Sequence, residues 1–401
     1  MNLKLLISFM MAGLLFSCAP DESILLEEEK PTLPSNTHKY GDIILPAYFE
    51  FMSVDATTGD IEDSGIPVLM TETINDDAFD DKATLGRVLF YDKKLSLNNT
   101  VSCGSCHSQS AGFADPVAAS RGFKGQLTDR NSMSIANPFV NNSFFWDSRT
   151  HDLETLILQP VANHIEMGME ELDKLNIKLA GTSYYPELFE KAFGSDNITS
   201  FKISEAMSTF LKSMVAKDAK FDQGMESDFA NFTAEEMLGK EIFYSAEAKC
   251  GTCHSGANFS SPDGNFNFLM RFSESDIASN PSLAFITGDE YNQTLGTANI
   301  GLEMEYEDQG RRNGQFKIPS LRNIEVTGPY MHDGRFATLE EVVDHYDRNI
   351  QPHQHLDRKF RNSSGIQALE LTSDEKRALV AFMKTLTDDA LLRDEKFSNP
   401  F

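Results

Sequence analysis

The 401-residue sequence predicts a mainly α-helical fold of two tandem units joined and covered by long loops, on three observations. The pentapeptide Cys103-Gly104-Ser105-Cys106-His107 returns as Cys250-Gly251-Thr252-Cys253-His254. Each copy follows a similar stretch, Leu85-Gly86-Arg87-Val88-Leu89-Phe90-Tyr91 and Leu238-Gly239-Lys240-Glu241-Ile242-Phe243-Tyr244, and each precedes a phenylalanine, Phe113 or Phe259. Few runs alternate with the two-residue period of a strand, whereas several carry apolar residues at helical spacing.

The pentapeptide fixes the chemistry. Two thiols two residues apart can add to the vinyl groups of one haem, and a histidine directly after them falls under the iron as its proximal ligand. Paired Cys-x-x-Cys motifs also build zinc ribbons, but a ribbon needs no histidine fixed after either pair and brings its pairs closer together. Two covalently bound c-type haems are therefore expected, one on Cys103, Cys106 and His107 and one on Cys250, Cys253 and His254. Each unit reads as helix, loop and attachment motif, the way a small cytochrome c-like domain begins.

The chain opens with Lys4 and an apolar run from Leu5 to Phe16, too short to span a bilayer and suited to a secretory signal over residues 1–17. Cys18 stands where a bacterial lipoprotein would be cleaved and acylated, which would tether the protein to a membrane rather than thread it through; an ordinary cleaved signal is the alternative. Residues 18–66, acidic and rich in Pro, Thr, Ser and Asn, read as a tether with one apolar patch, Ile43 to Met52, able to dock. The first haem domain is assigned to residues 67–230 and the second to 231–401. Met207, Phe210, Leu211 and Met214 give the stretch from Ile203 to Val215 a buried helical face. Thr233 with Glu236, and Thr372 with Glu375, form capping boxes; the second opens a helix whose apolar face is Leu379, Phe382, Met383 and Leu386.

Five cysteines divide into four for the two motifs and Cys18, leaving none for a disulfide. A net charge of −26 argues against nucleic acid and anionic lipid surfaces as partners and for a basic one such as a cationic electron carrier. An exported protein, periplasmic or anchored to an outer membrane, is the expected setting.

From about residue 67 to 390 the chain resembles the bacterial di-haem cytochrome c peroxidase family, including the relatives that mature methylamine dehydrogenase. The resemblance rests on both pentapeptides, Arg130-Asn131, Phe144-Phe145-Trp146-Asp147-Ser148-Arg149, Glu166-Met167, Pro319-Ser320-Leu321-Arg322-Asn323 and Gly328-Pro329-Tyr330-Met331-His332-Asp333-Gly334. It implies an N-terminal peroxidatic haem, a C-terminal electron-transferring haem, hydrogen peroxide as substrate and a small cytochrome or other redox protein as donor. It implies that Trp146, the single tryptophan, relays electrons between the haems and that Glu166 is the acid-base carboxylate. Pro160 matches a distal-pocket proline, Leu156 replaces a glutamine found in some members, and His164 has no counterpart. Phe123 stands where many members place a histidine that caps the peroxidatic iron, which implies an open iron without reductive switching. The position of the second haem's methionine holds Tyr346, similar to the tyrosinate of the maturation relatives, with His345 and Met331 as alternatives. A calcium ion between the domains is implied on Asn131 and the carbonyls of Thr327 and Pro329, and homodimerisation is raised by the classical members. A maturation-type oxidase of a protein side chain and a non-catalytic di-haem electron-transfer cytochrome stand as the other readings.

Overall fold

The computed structural model describes residues 28–46, 77–141, 143–260, 297–302, 314–353, 356–363 and 365–401. The expected signal segment, Cys18 and residues 47–66 lie outside the described residues. From Pro31 to Phe401 the described residues pack as one body.

Its described residues are mainly helical: α1 (Asp77–Tyr91), α2 (Cys103–Cys106), α3 (Leu153–Ala162), α4 (Leu172–Ala180), α5 (Tyr185–Phe193), α6 (Ser200–Lys212), α7 (Lys220–Glu226), α8 (Ala234–Phe243), α9 (Leu339–Asp344), α10 (Ser373–Lys384) and α11 (Asp389–Arg393). Two short antiparallel ribbons complete it. β1 (Thr297–Ala298) pairs with β2 (Phe316–Lys317) so that Ala298 faces Phe316, and β3 (Arg361–Asn362) pairs with β4 (Gly365–Ile366). No helix among the described residues is long and apolar enough to cross a membrane.

The repeated Leu-Gly pair has a packing reason. In α1, a Cβ on Gly86 would lie 2.1 Å from the Ala206 carbonyl oxygen of α6; in α8, one on Gly239 would lie 1.9 Å from the Ala378 carbonyl oxygen of α10. The next neighbours are Phe210 Cβ in one crossing and Phe382 Cβ in the other, so the two helix pairs cross in the same way. Ridges meet grooves at backbone contact, which only glycine permits. Gly86→Ala or Gly239→Ala is therefore expected to cost about 3 kcal/mol, the upper range for overpacking, read as a lowered denaturant midpoint with unchanged slope. A midpoint equal to that of the wild type would contradict this crossing.

The predicted caps form. Thr233 Oγ1 accepts from Glu236 N at 3.2 Å while Thr233 N donates to the Glu236 carboxylate at 2.6 Å, and Thr372 with Glu375 repeats this at 3.3 and 2.8 Å. A third box, Thr338 with Glu341, opens α9. Each contributes about 1 kcal/mol.

Buried apolar side chains gather into two clusters, one around Phe90, Phe113, Phe189 and Phe210 and one around Phe221, Phe243, Phe259 and Phe382. The second already includes Val215, while Leu391 and Phe397 near the C-terminus belong to the first. Arg322, 1% exposed, locks the second cluster by bonding the Asp222 carboxylate at 2.5 Å and the Ala257 carbonyl at 2.8 Å. Part of the stretch read as a tether is built into the fold. Tyr40 is fully buried in the first cluster, its N–H held by Asp80 at 2.7 Å, and Ile43 and Leu45 enter the second.

Candidate functional site

Both pentapeptides present their histidine identically. His107 Nδ1 lies 2.9 Å from the Phe113 carbonyl, and His254 Nδ1 lies 2.9 Å from the Phe259 carbonyl; both phenylalanines have left-handed backbones, φ 59° and 51°. With each Nδ1–H donating to its carbonyl, Nε2 keeps its lone pair for a metal. Burial lowers the pKa of both imidazoles, to about 4 for His254, against the opposing pull of the Phe113 and Met133 carbonyls on one side and of Phe259 and Pro319 on the other. They are neutral at pH 7. Burial likewise pushes the thiols up, Cys103 and Cys250 to about 12 and Cys106 to about 11.

A cavity of about 980 Å³ runs between the motifs, lined by Cys103, Cys106 and His107 on one side and by His254 on the other. Trp146 and His332 also line it, and each sits in a loop of the same design. In one, Phe144 pairs with Thr150, Phe145 and Ser148 have positive φ, and Asp147 binds Arg149 at 2.9 Å. In the other, Tyr330 pairs with Phe336, Met331 and Gly334 have positive φ, and Asp333 binds Arg335 at 2.5 Å. Trp146 thus corresponds to His332, and the two rings meet edge to face at 6.5 Å. Backbone contacts follow the same correspondence: Asn131 N donates to the His332 carbonyl at 2.8 Å, and Lys317 N to the Trp146 carbonyl at 2.6 Å. The indole Nε1–H donates to the Asn131 carbonyl at 2.8 Å, so Trp146 is tied to both sides. This loop repeat went unread in the sequence, although Asp147-x-Arg149 and Asp333-x-Arg335 carry its trace.

Glu166 lines the cavity on the His107 side, at the end of a turn that follows α3. Asn163 Oδ1 accepts from Ile165 N at 2.8 Å and from Glu166 N at 3.3 Å, and the Glu166 carbonyl receives Phe123 N at 2.8 Å. The backbone is therefore fixed while the carboxyl stays available. Burial raises its pKa, opposed by Arg149 and reinforced by Asp129. Glu166 also lines a second, solvent-open recess of about 670 Å³, together with Arg149, Pro160 and His164. His164 is exposed there and is not among the residues lining the central cavity, whereas Pro160 and Leu156 are. Phe123 is buried with its ring against Gly168, where a Cβ would fall 2.3 Å away, and it does not line the cavity either. Phe123→His is accordingly expected to leave the resting absorption spectrum unchanged; conversion of a haem to low spin would show that this loop swings inward.

On the His254 side, α9 widens into a π-turn, His345–Asn349, a device frequent at functional sites. The buried Asp347 anchors it to α10 through Lys376 Nζ at 2.6 Å and to the segment before α10 through Leu371 N at 3.0 Å. Tyr346 lines the cavity, stacked on Phe360 at 5.8 Å, and burial raises its pKa. Met331 lines it too, whereas His345 turns its Nε2 to the Ile300 carbonyl at 3.0 Å. Asn131, Thr327 and Pro329 border the same cavity; the Asn131 amide donates to the Val117 carbonyl at 2.9 Å.

Residues 80–230 match the family model described as di-haem cytochrome c peroxidase. The chain is 34% identical over 313 residues to cytochrome c551 peroxidase of Nitrosomonas europaea, covering 77% of this chain and 80% of that one. It belongs to the di-haem cytochrome c peroxidase family. Within that family it is also 31% identical to the methylamine utilization protein MauG of Methylorubrum extorquens, over 76% of this chain and 78% of that one. A crystal structure of a MauG-like protein associated with microbial copper homeostasis superimposes with a TM-score of 0.65 at 31% identity, covering 80% of this chain and 93% of the other. As a member of the family this peroxidase-type oxidoreductase takes two haems, and the residues present fit them: two neutral imidazoles with Nε2 uncommitted, each beside a thiol pair, around one cavity.

Proposed function

We propose that this chain reduces hydrogen peroxide to water at the His107 site, using electrons that an external redox protein delivers to the His254 site and that Trp146 relays. The observation that carries this reading is Glu166, a carboxyl of raised pKa on the wall between the His107 cavity and a solvent-open recess. Haem bound through Cys103, Cys106 and His107 would supply an open iron position and the electrons that split the O–O bond. As a carboxylate, Glu166 would take a proton from one peroxide oxygen and return it to the other, so that water leaves. The recess lets it exchange protons with solvent. Overall, peroxide, two electrons and two protons give two waters. Trp146, held at its indole N–H by Asn131 and at its carbonyl by Lys317, stays fixed between the two motifs.

Mixing the purified protein with peroxide and a reduced small cytochrome tests the function: two cytochromes oxidised per peroxide consumed are expected, and a two-haem protein that leaves peroxide standing refutes it. The pH dependence tests the role of Glu166. Because its carboxylate takes the proton, the rate should fall as pH drops through its pKa, and burial places that limb above the ordinary carboxylate value of about 4.3. Stopped-flow rates across pH should show this limb in the wild type and lose it in Glu166→Gln.

A second reading, oxidation of a protein side chain, is favoured by Tyr346 in the His254 cavity wall, since a phenolate ligand suits higher iron valence. Further expectations belong to the proposal: covalent attachment of the second haem through Cys250, Cys253 and His254, with Tyr346 as a further residue that would hold its iron, a lipid anchor on Cys18, haem domains over 67–230 and 231–401, and calcium held by Asn131, Thr327 and Pro329. The oxygen-only donor set suits calcium, with water completing its shell.

A further inference from the structure

Lys317 is 8% exposed in the wall of the central cavity, on the strand that ties Trp146 to the His254 side. Its ammonium has one long contact, 3.4 Å to the Ile318 carbonyl, and no carboxylate partner among the described residues. A buried ammonium without an anion costs several kcal/mol, and burial alone brings this one down to about 8. It acts on His254 through space, lowering the pKa of that imidazole. Its counterpart in the repeat is Asn131, whose neutral amide bonds the Val117 carbonyl at 2.9 Å. The repeat therefore places an amide on the His107 side and a cation on the His254 side, both at the position whose N–H bonds the partner loop.

A haem offers an anion for this ammonium, because it carries two carboxylate side chains. We propose that Lys317 is a positioning residue for the haem held by His254, pairing its ammonium with a haem carboxylate and holding the reduction potential of that site up. A fixed positive charge near an iron stabilises its reduced, less positive state, which is the sense of the effect. The Asn131 side chain at the equivalent position is itself uncharged. This rests on haem attachment at Cys250 and Cys253, which the haem content of the wild type checks before any substitution is made.

The experiment is a spectroelectrochemical titration of the purified holoprotein as wild type, Lys317→Met and Lys317→Arg. Loss of the cation is expected to lower one of the two haem potentials by at least about 59 mV, a tenfold shift of a one-electron equilibrium, while the other potential stays in place and Lys317→Arg remains near the wild type. Two unchanged potentials in Lys317→Met, or an equal fall in Lys317→Arg, overturn the proposal. If Lys317→Met does not accumulate with two haems, Lys317→Gln gives the same comparison with a polar head group in the wall. Fewer than two covalent haems in the wild type would instead refute the attachment reading itself.

Discussion

Glu166→Gln is expected to slow the reaction with peroxide by about 10²- to 10⁴-fold, the worth of a positioned general acid-base group, with little change in the resting haem spectra. The substitution is close to isosteric, and the contacts that hold this turn use the backbone: Glu166 N to Asn163, and the Glu166 carbonyl to Phe123 N. The fold should therefore survive with only the proton shuttle removed. Asp129 and Arg149, which influence the carboxyl through space in opposite senses, remain in place, so the loss is chemical and not electrostatic rearrangement. Stopped-flow absorption with excess peroxide reads the rate directly. A rate equal to that of the wild type would mean that another group, or water alone, moves the proton.

Tyr346→Met should raise the potential of the second haem by at least about 0.1 V, well inside the roughly 0.8 V that axial ligands span in proteins. A phenolate is a hard anionic donor that stabilises oxidised iron, whereas a thioether favours the reduced state. The consequence for reactivity is larger still. The wild type in its fully oxidised form should react with peroxide directly, whereas Tyr346→Met should need one electron from a reductant first. Tyr346 is suited to this role because the π-turn sets it in the cavity wall while its neighbour His345 is spent on the Ile300 carbonyl. An oxidised wild type that stays inert until reduced, or a Tyr346→Met protein with an unaltered potential, would transfer the role to Met331 and favour a reductively activated peroxidase.

What could be read from the residues was local. The Leu-Gly pairs and the Thr-x-x-Glu caps each encode their geometry within a few positions, and both appear in the structure as helices and caps. The second repeat was not readable in the same way. Between Phe144–Thr150 and Tyr330–Phe336 only an aspartate and an arginine are shared at matching places, while Trp146 answers to His332 and Ser148 to Gly334. What makes the loops alike is positive φ at Phe145, Ser148, Met331 and Gly334, which three of those four residue types do not advertise. The π-turn that presents Tyr346 is equally silent, since a single widened turn leaves the helical pattern of α9 intact. Residues 31–46 look like linker by composition because Tyr40, Ile43 and Leu45 are too few to announce a packed segment, yet they meet partners far along the chain.

The last residues carry a consequence for the order of assembly. Tyr91 donates its hydroxyl to the Phe397 carbonyl at 2.6 Å, Arg87 reaches the Ser398 carbonyl at 2.7 Å, Gln109 bonds the carbonyls of Leu391 and Asp394 at 3.0 and 2.9 Å, and Pro400 receives the N–H of Thr32 at 2.7 Å. The helix that leads into the first attachment motif is thus closed by residues some three hundred positions downstream, and loop closure over that length is paid before its contacts reward it. The first pentapeptide is made early, but the core beside it cannot be sealed until residues 391–400 are available. Until then the surroundings of Cys103 and Cys106 stay open, and the C-terminal segment acts as the latch that closes them.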